Sequence, residues 1–300
     1  MTRPITKHSV SKRERPFWEL ALVGILCIAA GCLAASAPAD DEAAPEDSDK
    51  AKTERAARIE KMRRRAAALT VQAKKGDEFV PADLVEPPLL HYNNVAGVEK
   101  DATLWAWGKP GRPVAVASLA QHTATIWNSE MVSLSDDRVS IAGGSRWEWS
   151  PPKSGIEWKS VPKAPAVGKT AVARAGQMKD IAGMFTATGY YRNGNIIELR
   201  LMGRPLLRYS DPEQGLIDGS MFNFADGTNP EVFLLVECRK IGDAQPAWHF
   251  GFARMSGGHV VARLGDMIVW DRPDIQGWNP QEPYTSMNGS IDEVFGPGSE

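Results

Sequence analysis

The chain has 300 residues, of which 43% are hydrophobic and 24% are charged, and its net charge is −2. This composition predicts a mostly globular protein of about two domains and excludes a disordered polymer. There is no basic excess that would favour nucleic acid, so we expect no nucleic-acid partner. Two of the three cysteines lie at positions 27 and 32, inside an apolar stretch, which gives no basis for a disulfide framework.

Residues 1–39 are predicted to be a signal peptide or a lipoprotein signal. Basic residues from Arg3 to Arg15 precede the apolar run 20–30, which has signal-peptide length. Residues 29–32 resemble a lipobox that would lipidate Cys32, residues 37–39 form an A-x-A cleavage site, and an uncleaved anchor is a third alternative. All three predict export to the periplasm or cell envelope, with membrane contact only through this segment or a lipid anchor.

The next two segments differ in character. Residues 40–50 are acidic and have no hydrophobic period, which predicts a disordered tether. Residues 51–75 carry apolar side chains at helical spacing, at Ile59, Met62, Ala66 and Leu69. Most basic residues of this predicted helix take the opposite face, which we interpret as a solvated surface rather than a membrane contact.

Strands are predicted for the rest of the first half, and Pro-rich residues 151–170 form an extended linker. Short connections between consecutive strands indicate an antiparallel meander. The predicted strands are 83–92, 103–108, 114–119, 126–134, 139–141 and 147–149.

The second half follows the same order. A helix that starts near residue 171 carries Met178, Ile181 and Phe185 on its apolar face and is expected to end at Gly189. A Pro- and Gly-rich C-terminal tail covers residues 274–300, where Trp278, Tyr284 and Phe295 could hold it to the surface. The predicted strands are 196–202, 220–224, 232–236, 248–255, 259–264 and 267–270.

An internal repeat relates the two halves. Residues 205–237 align with 88–120 without a gap, at an offset of 117 that also separates Tyr92 from Tyr209. The predicted fold is therefore α+β, with two tandem repeats (51–150 and 171–273), each a helix followed by a curved antiparallel β-sheet. The run 232–236 is continuously apolar, so we expect one face of that strand to pack on a helix and the other on the opposite repeat.

The blocks LLRYSD, IDGSMFNFADGTNPEVFLLVE and ARMS…VW in the second half, and LWAW…GRPVAVASL and WNSEMVSLS in the first, are similar to those of a family of exported, uncharacterised proteins from planctomycete bacteria. The resemblance covers about residues 84–270. It implies export, and it implies no known activity and no functional residues.

No motif of a known catalytic site occurs: the sequence has no H-E-x-x-H, C-x-x-C, G-x-S-x-G or P-loop. We therefore predict no metal and no cofactor. Asp226, Asn229 and Glu231 are the best local candidates for a site, because three acceptor side chains in one turn could hold a ligand such as Ca²⁺. The same residues are also ordinary for a hairpin turn. The first repeat has Arg112 and Val114 where the second has Asn229 and Glu231.

A second candidate site consists of three tryptophans near the linker: Trp147, Trp149 and Trp158. Exposed aromatic rings of this kind stack on sugars or bind a partner protein. The alternative is that they cover the bare edge of the first sheet.

These observations predict a non-catalytic binding or interaction module of the cell envelope, whose partner is an envelope polysaccharide or another envelope protein. The alternative function is hydrolysis of envelope glycans by Asp218, Asp226 and Glu231. That chemistry requires carboxyl groups that converge to within about 5–10 Å across a groove.

Overall fold

The computed structural model describes residues 49–93, 101–108, 110–123, 126–275, 277–290 and 293. The predicted signal segment, Cys32, most of the tether and Phe295 lie outside these residues. The described residues fold as one compact unit. Neither of its helices combines the length and apolar character needed to span a bilayer.

The fold is α+β and is dominated by antiparallel sheet. The described residues form two α-helices, α1 (Asp49–Ala68) and α2 (Ala171–Ala182), a short 3₁₀ helix (Pro212–Gln214) and eighteen strands. The strands are β1 (Leu69–Lys75), β2 (Glu78–Pro81), β3 (Leu84–Tyr92), β4 (Ala102–Trp107), β5 (Ala115–Gln121), β6 (Ile126–Ser133), β7 (Val139–Gly143), β8 (Trp147–Trp149), β9 (Lys159–Ser160), β10 (Phe185–Tyr190), β11 (Ile196–Leu201), β12 (Leu207–Asp211), β13 (Leu216–Asp226), β14 (Asn229–Arg239), β15 (Ala247–Arg254), β16 (His259–Leu264), β17 (Met267–Arg272) and β18 (Tyr284–Ser290).

The strands form three sheets, and the short connections predicted from the sequence produce the antiparallel pairing of β3 to β6 and of β12 to β15. The sheet orders are β2-β1-β7-β8, then β18-β6-β5-β4-β3, and then β17-β16-β10-β11-β13-β14-β15-β9 with β12 also on β13.

Both helices end earlier than the sequence pattern indicated. The first was expected to reach residue 75 but ends at Ala68, because 69–75 pair as β1 with β2 and β7. The second was expected to end at Gly189 but ends at Ala182, where the N–H of Gly183 donates to the Lys179 carbonyl (3.0 Å). Phe185 and Gly189 belong to β10, which is paired on both sides. Sheet pairing thus overrides helical spacing at both junctions.

Three predicted boundary segments contain regular structure. Asp49 and Lys50, placed in the tether, begin α1. The linker supplies β9, which pairs with β15, and its Ile156 is buried. The predicted tail contains β18, whose seven residues all pair with β6 at the edge of the first half's sheet.

Helix α1 covers the outer face of the sheet that contains β3 to β6, and α2 covers the outer face of the sheet that contains β13 to β15. A central hydrophobic cluster lies between these two sheets. Met62 and Ala66 of α1 pack on the first half's sheet, and Met178 and Ile181 of α2 pack on β13 to β15. The central cluster combines residues of both halves, including Leu104, Val116, Phe233 and Leu235. Residues 232–236 of β14 are all fully buried, so both faces of that strand are covered, as the continuous apolar run predicted.

Candidate functional site

A cavity of about 260 Å³ lies between the two sheets. Strands β3 to β6 form one wall, and the start of β14 and the loop that follows β15 form the other. No Lys, Arg or His is among the described residues that line it. The lining residues are Tyr92, Ala102, Ser118, Ala120, Asn128, Glu130, Tyr191, Asn229, Glu231, Met255, Ser256, Gly257 and Gly258.

Glu231 is the most deeply placed charged group of the cavity, with 4% of its surface exposed. Asn229 Nδ2 donates to Glu231 Oε1 (2.7 Å), so two residues of the predicted turn site point into the cavity together. Burial, aided by the charges of Glu130 and Asp226, raises the pKa of Glu231 to about 8, although hydrogen bonds from Ser256 and Asn229 oppose the shift. A carboxyl group with this pKa is mostly protonated at pH 7.

Asp226, the third residue of the predicted turn site, lies behind the cavity wall and contacts it through Tyr191. It does not line the cavity, but Tyr191, which does, donates its hydroxyl proton to Asp226 Oδ2 (3.4 Å). Burial and the charges of Glu231 and Asp226 raise the pKa of Tyr191. The tyrosine hydroxyl is thus a neutral donor that is directed at the carboxylate.

Glu130 on β6 is the second carboxyl group of the cavity wall. Tyr284 of β18 donates to Glu130 Oε1 (2.5 Å), and burial followed by the Glu130 charge raises the pKa of Tyr284. The guanidinium of Arg254 lies over the Tyr284 ring, 5.3 Å from its centroid. Arg254 is buried and donates to the carbonyls of Ser256, Pro273 and Gly258, which fixes the loop that lines the cavity.

The other polar groups of the cavity include two hydroxyls and an amide. The hydroxyls of Tyr92 and Ser118 are hydrogen-bonded to each other (2.5 Å). Asn128 Oδ1 is a buried atom that accepts no hydrogen bond from the described residues. A ligand that brings hydrogen-bond donors would satisfy these groups.

The repeat offset relates the two ends of the interface between the sheets. The end that contains Arg112 and Glu237 is filled by their side chains, and the end that contains Asn229 and Ala120 holds the cavity. At the offset of 117, Asn229 aligns with Arg112 and Ala120 aligns with Glu237. Arg112 Nε lies 3.1 Å from Glu237 Oε1, and Arg239 Nε lies 3.1 Å from Glu237 Oε2. The shorter side chains of Asn229 and Ala120 cannot bridge the corresponding space, and the space stays open.

The three candidate tryptophans do not form one exposed platform. Trp149 is fully buried and donates Nε1–H to the Asn279 carbonyl (3.0 Å). Trp147 is partly exposed and packs edge-on against Trp278, with ring centroids 5.7 Å apart. Trp158 is also partly exposed, lies under the guanidiniums of Arg112 (4.8 Å) and Arg239 (4.5 Å), and donates to Asp136. All three rings therefore contact other parts of the chain.

Asp218 is not part of the cavity. It is buried and forms ion pairs with Arg174 (2.8 Å) and Arg208 (2.6 Å) beside α2. It lies eight residues before Asp226 on β13, which corresponds to about 26 Å along an extended strand. The three carboxylates considered for glycan hydrolysis thus do not converge, and Glu130 is the carboxyl group that shares the cavity with Glu231.

Sequence reasoning missed Glu130, although a signal was present. In β6 the residues Asn128, Glu130 and Val132 alternate on one face, and Val132 is buried in the central cluster. Two polar residues on a face that continues into the core indicate a buried polar site. Tyr191, Tyr284 and Arg254 gave no such signal, because only the tertiary fold brings them to the cavity.

The Cys238 thiol is not activated as a nucleophile. Burial raises the pKa of the Cys238 thiol to about 11, which disfavours the nucleophilic thiolate. No group of three His, Cys, Asp or Glu with metal-binding geometry occurs among the described residues.

Comparison of the chain with protein-family models, curated proteins and solved structures finds no match.

The titration of Glu231 predicts a stability change with pH. Its pKa is about 8 in the folded state against 4.5 for a glutamate in water, so its contribution to stability is full below about pH 4.5. As pH rises towards 8 the unfolded chain loses this proton first, and the free energy of unfolding falls by about 1.4 kcal/mol per pH unit. Glu231→Gln should therefore match the wild type near pH 4.5 and be a few kcal/mol more stable at pH 8.

Urea unfolding at pH 4.5, 6 and 8 measures this effect. Glu213→Gln is the matched control, because Glu213 is exposed in the short helix before β13 and should leave the pH dependence unchanged. Equal pH slopes for Glu231→Gln and the wild type would show that Glu231 is ionised in the folded protein at pH 7.

Proposed function

We propose that this chain is an exported, non-catalytic binding protein of the cell envelope that holds one small polar group of its partner in the cavity between the sheets. The observation that supports the proposal is the cavity around Glu231, which is lined by two carboxyl groups and other acceptors. The equivalent end of the interface has Arg112 in place of Asn229 and is filled. Its volume of about 260 Å³ lies just below the usual range for drug-sized ligands. A single sugar unit or amino-acid side chain of an envelope polymer matches that size.

A cavity-filling variant tests this proposal. Asn229→Arg introduces the residue that the first half has at the aligned position, and the longer side chain should occupy the cavity. We expect binding of envelope polysaccharide fragments, measured by calorimetry, to weaken at least tenfold in this variant. Trp147→Ala and Trp158→Ala serve as controls and should keep the affinity of the wild type. Loss of binding in the tryptophan variants alone would assign the ligand to the aromatic surface instead.

Hydrolysis is the second candidate function, favoured by the two carboxyl groups, Glu130 and Glu231, in one cavity. A carboxyl group with a raised pKa is the form that a general acid needs near neutral pH. Mass spectrometry of the bound polysaccharide fragments after incubation separates the two functions. New shorter fragments that disappear with Glu231→Gln would establish catalysis, and unchanged fragments would leave binding alone.

We also propose that the two halves are tandem copies of one unit. The order α1 then β1 to β8 corresponds to α2 then β10 to β17. Equivalent ion pairs support this proposal, since Arg58 binds Asp101 (2.6 Å) and Arg174 binds Asp218 (2.8 Å) at offsets of 116 and 117. Each copy also donates its last strand to the other: β9 pairs with β15, and β18 pairs with β6.

Export is proposed from the N-terminal segment alone. N-terminal sequencing or mass spectrometry of the protein recovered from envelope fractions identifies which processing route is used. A mature chain that starts at Cys32 indicates lipidation, one that starts at Asp40 indicates release, and recovery from the cytosol would contradict export.

A further inference from the structure

The cavity has a strong chemical preference that its shape alone does not reveal. Two carboxyl groups, from Glu130 and Glu231, line it, and Asp226 stands behind Tyr191. The unpartnered acceptor Asn128 Oδ1 lies on the same strand as Glu130. These groups come from both sheets, so a ligand between them meets carboxyl groups from two sides.

The donors next to the acidic side chains already bond to them. Asn229 and Ser256 bond to Glu231, Tyr191 bonds to Asp226, and Tyr284 bonds to Glu130. The nearest buried guanidinium, Arg254, directs its protons at the carbonyls of Ser256, Gly258 and Pro273. The cavity therefore presents two carboxyl groups and an unpartnered amide oxygen and has no cationic side chain among its described lining residues, which suits a cation better than an anion.

We propose that the group held in the cavity is an aliphatic ammonium, bound between Glu130 and Glu231, and that its binding displaces a proton from Glu231. This inference rests on the proposed binding function and names the chemical class of its ligand. The ammonium carries three donors, which match the two carboxyl groups and Asn128 Oδ1. No bond is formed or broken: the Glu231 carboxyl proton passes to solvent, and the ammonium replaces it as the partner of the carboxylate.

Proton linkage distinguishes this mode from neutral hydrogen bonding. With the pKa of Glu231 at about 8, a cation that binds its carboxylate releases close to one proton at pH 7. Affinity then rises about tenfold per pH unit up to about pH 8 and levels off above it. The groups that set this midpoint are Glu130 on β6, Asp226 on β13, Asn229 on β14, and Tyr191 and Ser256 in loops.

The experiment compares glucamine with sorbitol, two polyols of equal chain length of which only glucamine has an ammonium. Calorimetry of the intact protein at pH 7 in phosphate and in MOPS, neither of which has a primary ammonium, gives the number of protons released on binding. We expect glucamine to bind at least tenfold more tightly than sorbitol and to release close to one proton. Glu231→Gln should bind glucamine at least tenfold more weakly and release none.

Two further variants keep the test independent of folding. Glu130→Gln removes one neighbouring charge, so proton release should move to lower pH while the fold is kept. Asn229→Arg should abolish glucamine binding, because its guanidinium takes the place of the ammonium. Thermal unfolding of each variant without ligand checks that it is folded.

The outcomes separate this inference from the function on which it rests. Equal affinity for sorbitol and glucamine, or glucamine binding without proton release, overturns the ammonium site but leaves a binding cavity. Binding of neutral polysaccharide fragments, but not of glucamine, at an Asn229-sensitive site has the same meaning. Absence of binding by glucamine and by every envelope fragment overturns both.

Discussion

Replacing Arg112 with methionine is expected to lower the free energy of unfolding by about 3 kcal/mol. Glu237 is completely buried, and Arg112 is one of the two guanidiniums beside it. Burial raises the pKa of Glu237 in spite of both arginines. Removal of one partner leaves a buried carboxylate with less compensation, which typically costs about 3–5 kcal/mol, and Arg239 offsets part of this cost.

A double variant tests whether the charge of Glu237 causes the loss. Glu237→Gln keeps an acceptor for the Tyr209 hydroxyl, which donates to Glu237 Oε1 (2.9 Å), but removes the charge. We expect Arg112→Met/Glu237→Gln to recover about half of the loss, as measured by urea denaturation in a double-mutant cycle. Arg204→Met, at an exposed position, is the control and should change stability by less than about 0.5 kcal/mol. Strict additivity of the two substitutions would contradict the ionic origin.

The same cluster explains why Trp158 was a poor guide to a binding site. Its sequence context near the linker resembles that of an exposed aromatic platform, but Arg112 and Arg239 both stack on its ring. Arg112 lies 46 residues before Trp158 and Arg239 lies 81 residues after it. No local pattern reports such contacts, because they arise only when the two sheets pack face to face.

Local patterns predicted twelve of the eighteen described strands and missed β1, β2, β9, β10, β12 and β18. The continuous apolar run in β14 follows from its two covered faces, and the alternation along β15 places Trp248, Phe250 and Phe252 in the cluster under α2. Prediction failed at the ends of both helices, where Leu69 and Phe185 fit the helical stripe and the strand equally well. Partners more than 50 residues away, in β7 and β16, decide those positions.

The candidate site was half predictable for a similar reason. Comparison of the two halves singled out Asp226, Asn229 and Glu231, because each differs in type from its aligned residue in the first half. Positions that differ in this way are not required for the packing that both halves share. Glu130 escaped because it aligns with Gly251, and the two positions face different neighbours. Identification of its role requires the position of Tyr284 in β18, which is 154 residues away in sequence.

Truncation of Tyr284 to alanine is expected to destabilise the protein by about 3–5 kcal/mol, the usual loss for a buried large aromatic side chain. Tyr284 is 1% exposed, contributes its ring to the central cluster and bonds to Glu130. Its strand is the only covering of the β6 edge among the described residues, so a weakened β18 also exposes that edge. Asn288→Ala, at an exposed position of the same strand, should have almost no effect.

The tandem-copy proposal extends this prediction to a second residue. Tyr284 pairs with Val132 of β6, and extension of the β9–β15 register by three residues places Ile156 opposite Ala253, which aligns with Val132; both Tyr284 and Ile156 enter the central cluster. Ile156→Ala should therefore cost about 2–5 kcal/mol, although Ile156 lies in a segment with the composition of a linker. Thermal and urea unfolding of both variants should remain single transitions, because each crossing strand joins the two halves through one core. If Ile156→Ala is as mild as Asn288→Ala, the two crossing strands are not equivalent, and the proposed tandem copies lose their structural support.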